Sequence, residues 1–319
     1  MEGRIMEKHA FSDAVWEWVQ LDWKKDMERE NELKPYTQNI QWLEHVQASD
    51  TNSLQMETTD ENSLALWGSL IYVQEADKEE ESHLFHFFVK ENTLLTTALD
   101  FSLLSTTTKD EILAKMHIAD NAVEGFMILL GEIISAFLHK MDQYEVRLND
   151  LLWQVKKNND TKLLNKIAEN RHEILVWKNF LIPFVEVKTG VVEAFGEKYT
   201  DNIHYKRTNY RFDRCQNLVR AYEEEIRGLI DFEDVVSSFR GNEIMKTLTV
   251  ITVLFTPVMA LGALWGMNFD NMPELKWKFG YAGALFLIVF STILVYWFLK
   301  AKGWTGDMLK SRKKQKYVD

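Results

Sequence analysis

Two stretches near the C-terminus stand out for what they lack. Between Lys246 and Asn268 no side chain is charged, and the same holds between Phe279 and Lys300. Each has about the 20 apolar residues that a helix needs to cross a bilayer. The segment joining them, Asn268 to Lys278, is too short to hold a domain, so the two spans are expected to form an antiparallel hairpin with both of its ends on one side. Phe126 to Leu138 is also strongly apolar, but it is short and interrupted by Glu132, which predicts a buried core helix instead.

Upstream, residues 1 to about 100 mix aromatic and β-branched runs with turn signals. Ala14–Leu21, Leu64–Val73, Leu84–Lys90 and Thr93–Leu99 are predicted as strands, with Glu91 and Asn92 as a tight turn between the last two. From Lys109 the periodicity becomes helical. Asp120 is positioned to cap a helix Val123–Lys140, and Asn158, Asn159 and Asp160 to reverse the chain between helices Tyr144–Lys157 and Thr161–Phe180, with a break at Pro183. Nearer the spans, Phe212, Cys215, Val219, Tyr222, Ile226 and Leu229 recur at steps of three and four, and no proline interrupts Asp201 to Phe255. This is a heptad-like seam. A helix from Ile203 through Trp265 would be about 95 Å long at 1.5 Å per residue, more than any bilayer, so part of it is expected to project as a stalk. A break at Gly228 or Gly241 is the alternative.

These signals predict an α+β chain. Residues 1–200 form an α/β domain with a helical layer, 201–245 a stalk helix continuous with the first span at 246–268, 269–278 an external loop, 279–300 the second span and 301–319 a basic tail. Lys300, Lys302, Lys310, Arg312, Lys313, Lys314 and Lys316 follow the second span, and such an excess is retained in the cytoplasm, which places both termini there. Met1 to Trp23 is studded with charge, so no signal peptide is expected.

The spans differ in kind. Thr249, Thr252 and Thr256 share one side of the first, in line with Met245 below and Met259 above. Such a side could face water, although threonines in membrane helices also bond back to their own carbonyls. The second span has only Ser291 and Thr292 in its middle. Trp277, Phe279 and Tyr281 sit at one end and Tyr296, Trp297 and Phe298 at the other, the aromatic belts of a lipid-facing helix. The first span is therefore expected to be the inner one. One hairpin cannot enclose a path, so several copies must assemble about an axis.

Composition narrows the possibilities. A net charge of -11 argues against nucleic acid as a partner and suits attraction of cations. The single cysteine, Cys215, excludes an internal disulfide and fits a reducing compartment. No phosphate-binding loop and no serine, histidine and carboxylate set points to an enzyme. His83 and His86 fall on opposite faces of a strand, which argues against a shared metal.

The end of the first span reads Gly266, Met267, Asn268, Phe269 and continues through Pro273 and Glu274 to Trp277. It resembles the signature of the CorA magnesium transporter family, a Gly-Met-Asn tripeptide closing the first of two C-terminal spans with a Pro-Glu pair in the loop. Asn242, Glu243, Met245, Lys246, Leu248 and Thr249, then Phe255 and Pro257, also look like the family's segment. The close resemblance covers Asp231 to Lys302. It implies a pentameric funnel in the cell membrane that admits magnesium, and possible family substrates cobalt or nickel, without a cofactor and under control of cytoplasmic magnesium. By position, Asp231 and Asn242 would face the cytoplasmic mouth, Met245 and Leu248 form an apolar constriction, and Asn268 ring the external entrance, holding an ion through its water shell. Asp270 and Glu274 could enrich cations outside, opposed by Lys276 and Lys278. The regulatory carboxylates are open, with Glu79 to Glu81, Asp100, Asp120 and Glu223 to Glu225 as candidates. Two departures are visible, Trp265 where the family often has tyrosine and Met259 where it commonly has threonine, with Thr256 one turn lower able to supply the hydroxyl. Asn268 also suits a left-handed helix cap, and Gly266 close helix packing. A zinc transporter of the same architecture and a non-transporting two-span coiled-coil scaffold are the competing readings.

Overall fold

A computed structural model describes residues 6–21, 40–60, 63–76, 81–157, 161–268, 270 and 272–305. The chain forms two compact units that part between Ile230 and Asp231, within the stretch expected as a stalk. The first unit holds six strands in one mixed sheet, β1 (Met6–Phe11), β2 (Trp16–Leu21), β3 (Ser53–Glu57), β4 (Ala65–Gln74), β5 (Ser82–Val89) and β6 (Thr93–Thr97). Their order is β1-β2-β6-β5-β4-β3, with β2 and β6 parallel and every other pair antiparallel.

Alternation along the strands sorts side chains to two sides of the sheet. Trp18, Leu66, Leu70, Phe85 and Phe87 join the large core that holds the long helices, whereas Val19, Trp67, Phe88 and Leu95 form a second core with Trp42 and Val46. Those last two belong to α1 (Ile40–Ala48), and the Trp42 indole N–H donates to the Phe87 carbonyl at 3.0 Å. The sheet is thus covered on both faces. In β5 the odd spacing does place His83 and His86 apart: His86 is buried with Nδ1 2.6 Å from the Ser69 hydroxyl, and His83 is exposed.

Strand β2 starts two residues later than its apolar run suggests. Ser12, Asp13 and Ala14 have φ of 48°, 54° and 68°, and the Val15 N–H closes the turn onto the Ser12 carbonyl. Three L-residues in succession in the left-handed region form a tight hairpin, and Val15 is left exposed. Ala98, at φ 61°, likewise ends β6 at Thr97. Strands β1 and β3 and helix α1 carried no readable periodicity. In β1 the consecutive Glu7 and Lys8, on opposite faces of the strand, pair with Lys109 and Glu17 respectively.

Helix α2 (Lys109–Met116) begins with a capping box between Thr108 and Glu111. It leads to α3 (Ala122–Lys157), a single helix where two were expected. Met141 and Tyr144 are fully buried, so the apolar seam crosses the polar residues between them without a break. The cap is Asn121, not Asp120. The Glu124 N–H donates to Asn121 Oδ1 at 3.0 Å, while the Glu124 carboxylate accepts from the Asn121 amide at 2.8 Å and the Asp120 N–H at 3.0 Å. The expected reversal at Asn158 to Asp160 lies outside the described residues.

Helix α4 (Thr161–Phe195) runs through Pro183, contrary to the expected break. Proline costs one hydrogen bond there, but Phe180, Leu181, Phe184, Val187 and Val191 are buried on both sides of it, and their packing outweighs the loss. Gly196, at φ +85°, stops the helix. Helix α5 (Ile203–Trp265) is continuous through Gly228 and Gly241. Its seam of Phe212, Cys215, Val219, Tyr222, Ile226 and Leu229 is buried in the first unit. Where α3 and α5 approach, a Cβ on Gly131 would come within 2.7 Å of the Thr208 hydroxyl, so glycine is what lets Arg211 reach Glu132 at 3.0 Å.

Among the described residues three helices are long and apolar enough to cross a membrane, and burial separates them. The most apolar window of Ala122–Val155 is 89% buried, against 6% for the corresponding windows in α5 and in α6 (Gly280–Ala301). The apolar run around Glu132 is therefore core, as its charge indicated, and Glu132 itself is buried between Lys115 at 2.8 Å and Arg211.

Candidate site on the long helix

The second unit consists of α5 from Asp231 onward, a short 3-10 turn Pro273–Lys276 and α6. In the apolar part of α5 from Thr247 onward the least exposed positions are Thr247, Val250, Val253, Leu254, Pro257, Leu261 and Trp265, and apart from Val253, which flanks them, they recur at steps of three and four that mark one packed side. Leu254, Phe255 and Val258 border Thr292, Ile293 and Tyr296 of α6 around a groove of about 360 Å³. Val250 and Leu299 are fully buried. Tyr296, expected in the aromatic belt, lines this groove instead, while Trp297 and Phe298 stay exposed.

Thr249, Thr252, Thr256 and Met259 each follow a packed residue by two positions, a rotation of about 200° on an α-helix. They therefore lie on the opposite side of α5, and all four are exposed. Met245 and Leu248, at 61% and 57% exposure, extend this side downward, and Asp231 and Asn242 are exposed beyond them.

The three hydroxyls share one arrangement. Thr249 donates to the Met245 carbonyl at 2.8 Å, Thr252 to Leu248 at 2.9 Å and Thr256 to Thr252 at 2.9 Å. Back-bonding of this kind is what threonine does in an apolar helix. It also uses each hydroxyl's only proton, which leaves oxygen lone pairs as the outward polar feature. On α6, Ser291 and Thr292 both donate to the Ile288 carbonyl.

Helix α5 ends at Trp265, and the Gly266 N–H is shared between the Gly262 carbonyl at 2.9 Å and that of Ala263 at 3.2 Å. A Cβ at Gly266 would sit 3.0 Å from the Gly262 oxygen, so this glycine relieves crowding in its own last turn. Met267 and Asn268 are exposed. Among the described residues, positive φ outside glycine is confined to Ser12, Asp13, Ala14 and Ala98, so Asn268 is not the left-handed cap that its residue type allows. Its carboxamide belongs to an open turn. Phe269 lies outside the described residues, Asp270 is exposed, and of Glu274 only the backbone is described, within the 3-10 turn.

Among the described residues, the carboxylates considered for regulation do not gather within one chain. Among the described residues no three His, Cys, Asp or Glu side chains come together as a metal site. Asp100 accepts from the Ser102 hydroxyl at 2.7 Å and its N–H at 2.9 Å, which holds its carboxyl below the usual range. Glu223 pairs with Lys178 and Arg227. Asp120, Glu81, Glu224 and Glu225 are exposed, and Glu79 and Glu80 lie outside the described residues. The packed side of α5, which fixes which way the threonines face, went unassigned in the sequence although its three-four recurrence was present.

A sheet-and-helix unit and a pair of exposed apolar helices, with a polar stripe on the first of the pair, are the build of a membrane ion transporter. The chain belongs to the CorA-like Mg2+ transporter family, whose model matches residues 13–301. It is 40% identical over 314 residues, 98% of both chains, to the magnesium transport protein CorA of Bacillus subtilis. It is 26% identical over 179 residues, 54% of this chain and 50% of the other, to the cobalt/magnesium transport protein CorA of Thermotoga maritima. Among solved structures, the CorA magnesium transporter of Methanocaldococcus jannaschii superposes with a TM-score of 0.66 at 17% identity, covering 95% of this chain and all of the other, a likeness of fold. Membership makes the chain an ion transporter and not an enzyme.

Proposed function

We propose that this chain is the subunit of a homopentameric funnel that admits Mg2+ down the membrane potential, with Co2+ or Ni2+ as further substrates. The inner helix α5 of each protomer faces a wet axis with Met245, Leu248, Thr249, Thr252, Thr256 and Met259. Asp231 and Asn242 stand at the cytoplasmic mouth, and Gly266, Met267 and Asn268 form the external entrance. The observation that carries this reading is the opposition on α5: the side with the threonines is the one that α6 leaves uncovered. The back-bonded hydroxyls leave three registered sets of lone pairs pointing outward, and copies of this side about an axis would turn them toward water.

Neutral carboxamides suit the ion. Mg2+ dehydrates reluctantly and demands octahedral oxygen geometry, so an entrance that accepts hydrogen bonds from its water shell costs less than one that strips it. Five Asn268 side chains attract a hydrated cation without trapping it. Inward movement of two charges gains about 4.6 kcal/mol per 100 mV, so no nucleotide is required. Both termini lie in the cytoplasm, on the strength of the basic residues after α6. Cytoplasmic Mg2+ closes the funnel by bridging carboxylates of neighbouring subunits. Asp270 and Glu274 concentrate cations at the outer face.

The magnesium names of the family and of the Bacillus relative favour Mg2+ over Zn2+. The test is uptake into liposomes by the purified chain, with Mg2+ and Zn2+ run in parallel and Asn268→Ala as the variant. Mg2+ uptake that Asn268→Ala reduces at least tenfold is expected. Zn2+ uptake alone, or no uptake of either ion, would overturn the proposal.

A further inference from the structure

The groove between α5 and α6 leads along α6 to a cation. We propose that it is a binding site for an anionic phospholipid, which lays one acyl chain along Leu254, Val258, Thr292 and Tyr296 and sets its phosphate beside Lys300. This requires that α6 crosses the bilayer and is independent of any ion path on the threonine side of α5.

At about 360 Å³ the groove falls within the range of sites that take small ligands. Two of its lining residues, Phe255 and Ile293, are exposed, so it opens on the outside of the helix pair. Its walls choose among ligands. Of the lining side chains only Thr292 and Tyr296 carry a hydroxyl, and the Thr292 O–H donates to the Ile288 carbonyl at 2.8 Å. The part of the groove around Thr292 thus has no donor to spare for a polar group, and a hydrocarbon chain is what it suits.

Along α6 the character changes by steps. Thr292 lies near the middle of the helix, and Tyr296 and Lys300 follow at intervals of four, which puts all three on one side. From Thr292 to Lys300 is a rise of about 12 Å, against about 15 Å for half of the hydrocarbon core. One acyl chain therefore fits between the middle of the bilayer and the headgroup level, and it ends where two donors stand. A tyrosine at this level keeps its ring among the chains and its hydroxyl among the headgroups. Lys300 is exposed and long enough to reach a phosphate while its stem stays in the hydrocarbon. A side chain from a second copy would fill the apolar part only, because both spans are free of charge and bring Lys300 no anion. A headgroup that adds a cation of its own offsets the attraction, so an anionic lipid is favoured over a zwitterionic one. Lys302 sits about 200° around the helix from Lys300 and takes no part.

Native mass spectrometry of the full-length protein, released from detergent after addition of phosphatidylglycerol or phosphatidylcholine, counts the lipids retained per chain. The unaltered protein is expected to hold one phosphatidylglycerol per chain at a concentration where phosphatidylcholine is lost. Lys300→Gln weakens that retention about fivefold, the worth of one lysine at an anionic surface. Lys300→Arg keeps it, and so does Lys302→Gln, which removes an equal charge from another side of α6. Val258→Trp fills the groove and abolishes it. Lys300→Gln leaves the packing of the hairpin alone, so the test stands even where the tryptophan variant fails to fold. Equal weakening by Lys300→Gln and Lys302→Gln would mean diffuse attraction and overturn the site, as would equal retention of the two lipids. Undiminished phosphatidylglycerol on Val258→Trp, with or without dissociation of the subunits, also overturns it and assigns the groove to a second copy. None of these measurements involves ion flux, so the failure of the channel reading would leave them unchanged.

Discussion

Arg211→Met removes one of two cations from the buried Glu132 carboxylate. The side chain of Glu132 is 5% exposed, with Lys115 Nζ 2.8 Å from one oxygen and Arg211 Nη1 3.0 Å from the other. Methionine keeps the apolar stem of arginine and loses only the guanidinium. A charge-assisted hydrogen bond is worth about 1.5–3 kcal/mol. Complete loss of partners from a buried charge costs about 3–5 kcal/mol, but Lys115 remains. Arg211 is 35% exposed, and solvent screening lowers its share. The expected cost is thus about 2 kcal/mol, or about 4–8 °C in Tm for a unit of this size. Thermal unfolding of the full-length protein in detergent, followed by near-UV circular dichroism from the buried tryptophans, measures it. Replacing all three residues, as Lys115→Met, Glu132→Leu and Arg211→Met, should recover most of the loss, since buried ion triads are replaceable by apolar packing. A loss below about 0.5 kcal/mol, the range of ordinary surface changes, would refute the claim that Arg211 holds a buried charge. The pair also joins α5 to α3, beside the bond from the Thr208 hydroxyl to the Met127 carbonyl at 2.8 Å.

Three further expectations concern the first unit. Ala14, exposed and at φ 68°, should accept glycine with a gain of about 0.5–1 kcal/mol, since relief of left-handed strain exceeds the added chain entropy; a lower Tm for Ala14→Gly would contradict the hairpin geometry. Burial pushes the Cys215 thiol up to about 12, so native protein at pH 8 should resist maleimide until denatured, and rapid labelling would place that side of α5 outside the core. Glu7, Glu91 and Asp100 are held below the usual carboxylate range by Lys109, by Tyr199 with Lys198, and by the Ser102 hydroxyl respectively. Their folded pKa values lie below the unfolded ones, so their contribution is complete above about pH 4.5 and is lost as pH falls through the depressed values. A Tm that declines from pH 6 to pH 3 is expected, and an unchanged one would remove these pairs from the account.

Much of the fold was legible because the signals were local. The two charge-free runs, the seam from Phe212 to Leu229 and the strands Ala65–Gln74 and Ser82–Val89 each have a period or a length that few alternatives share. Misses fall where tertiary packing overrode a local signal. Pro183 reads as a break, yet α4 runs through it between buried aromatics. Ala14 and Val15 read as strand, yet both belong to the turn before β2, with Ala14 left-handed. Strand β1 reads as charged surface because Glu7 and Lys8 interrupt its apolar positions, and the partner of Glu7, Lys109, lies far along the chain.

For the candidate site the division is similar. Hydropathy and the Gly266–Asn268 tripeptide were enough to mark two spans and the end of the first, since helix length and residue type are properties of a segment alone. They could not tell a buried helix from a spanning one except through the single charge of Glu132, nor decide whether the threonine protons point outward or back into the helix. The tertiary structure decided both, through the core that swallows Ala122–Val155 and the packed side of α5 that leaves the threonines on the far one. A side chain's environment is set by what lies across from it, and a linear pattern holds no record of that until the chain has folded.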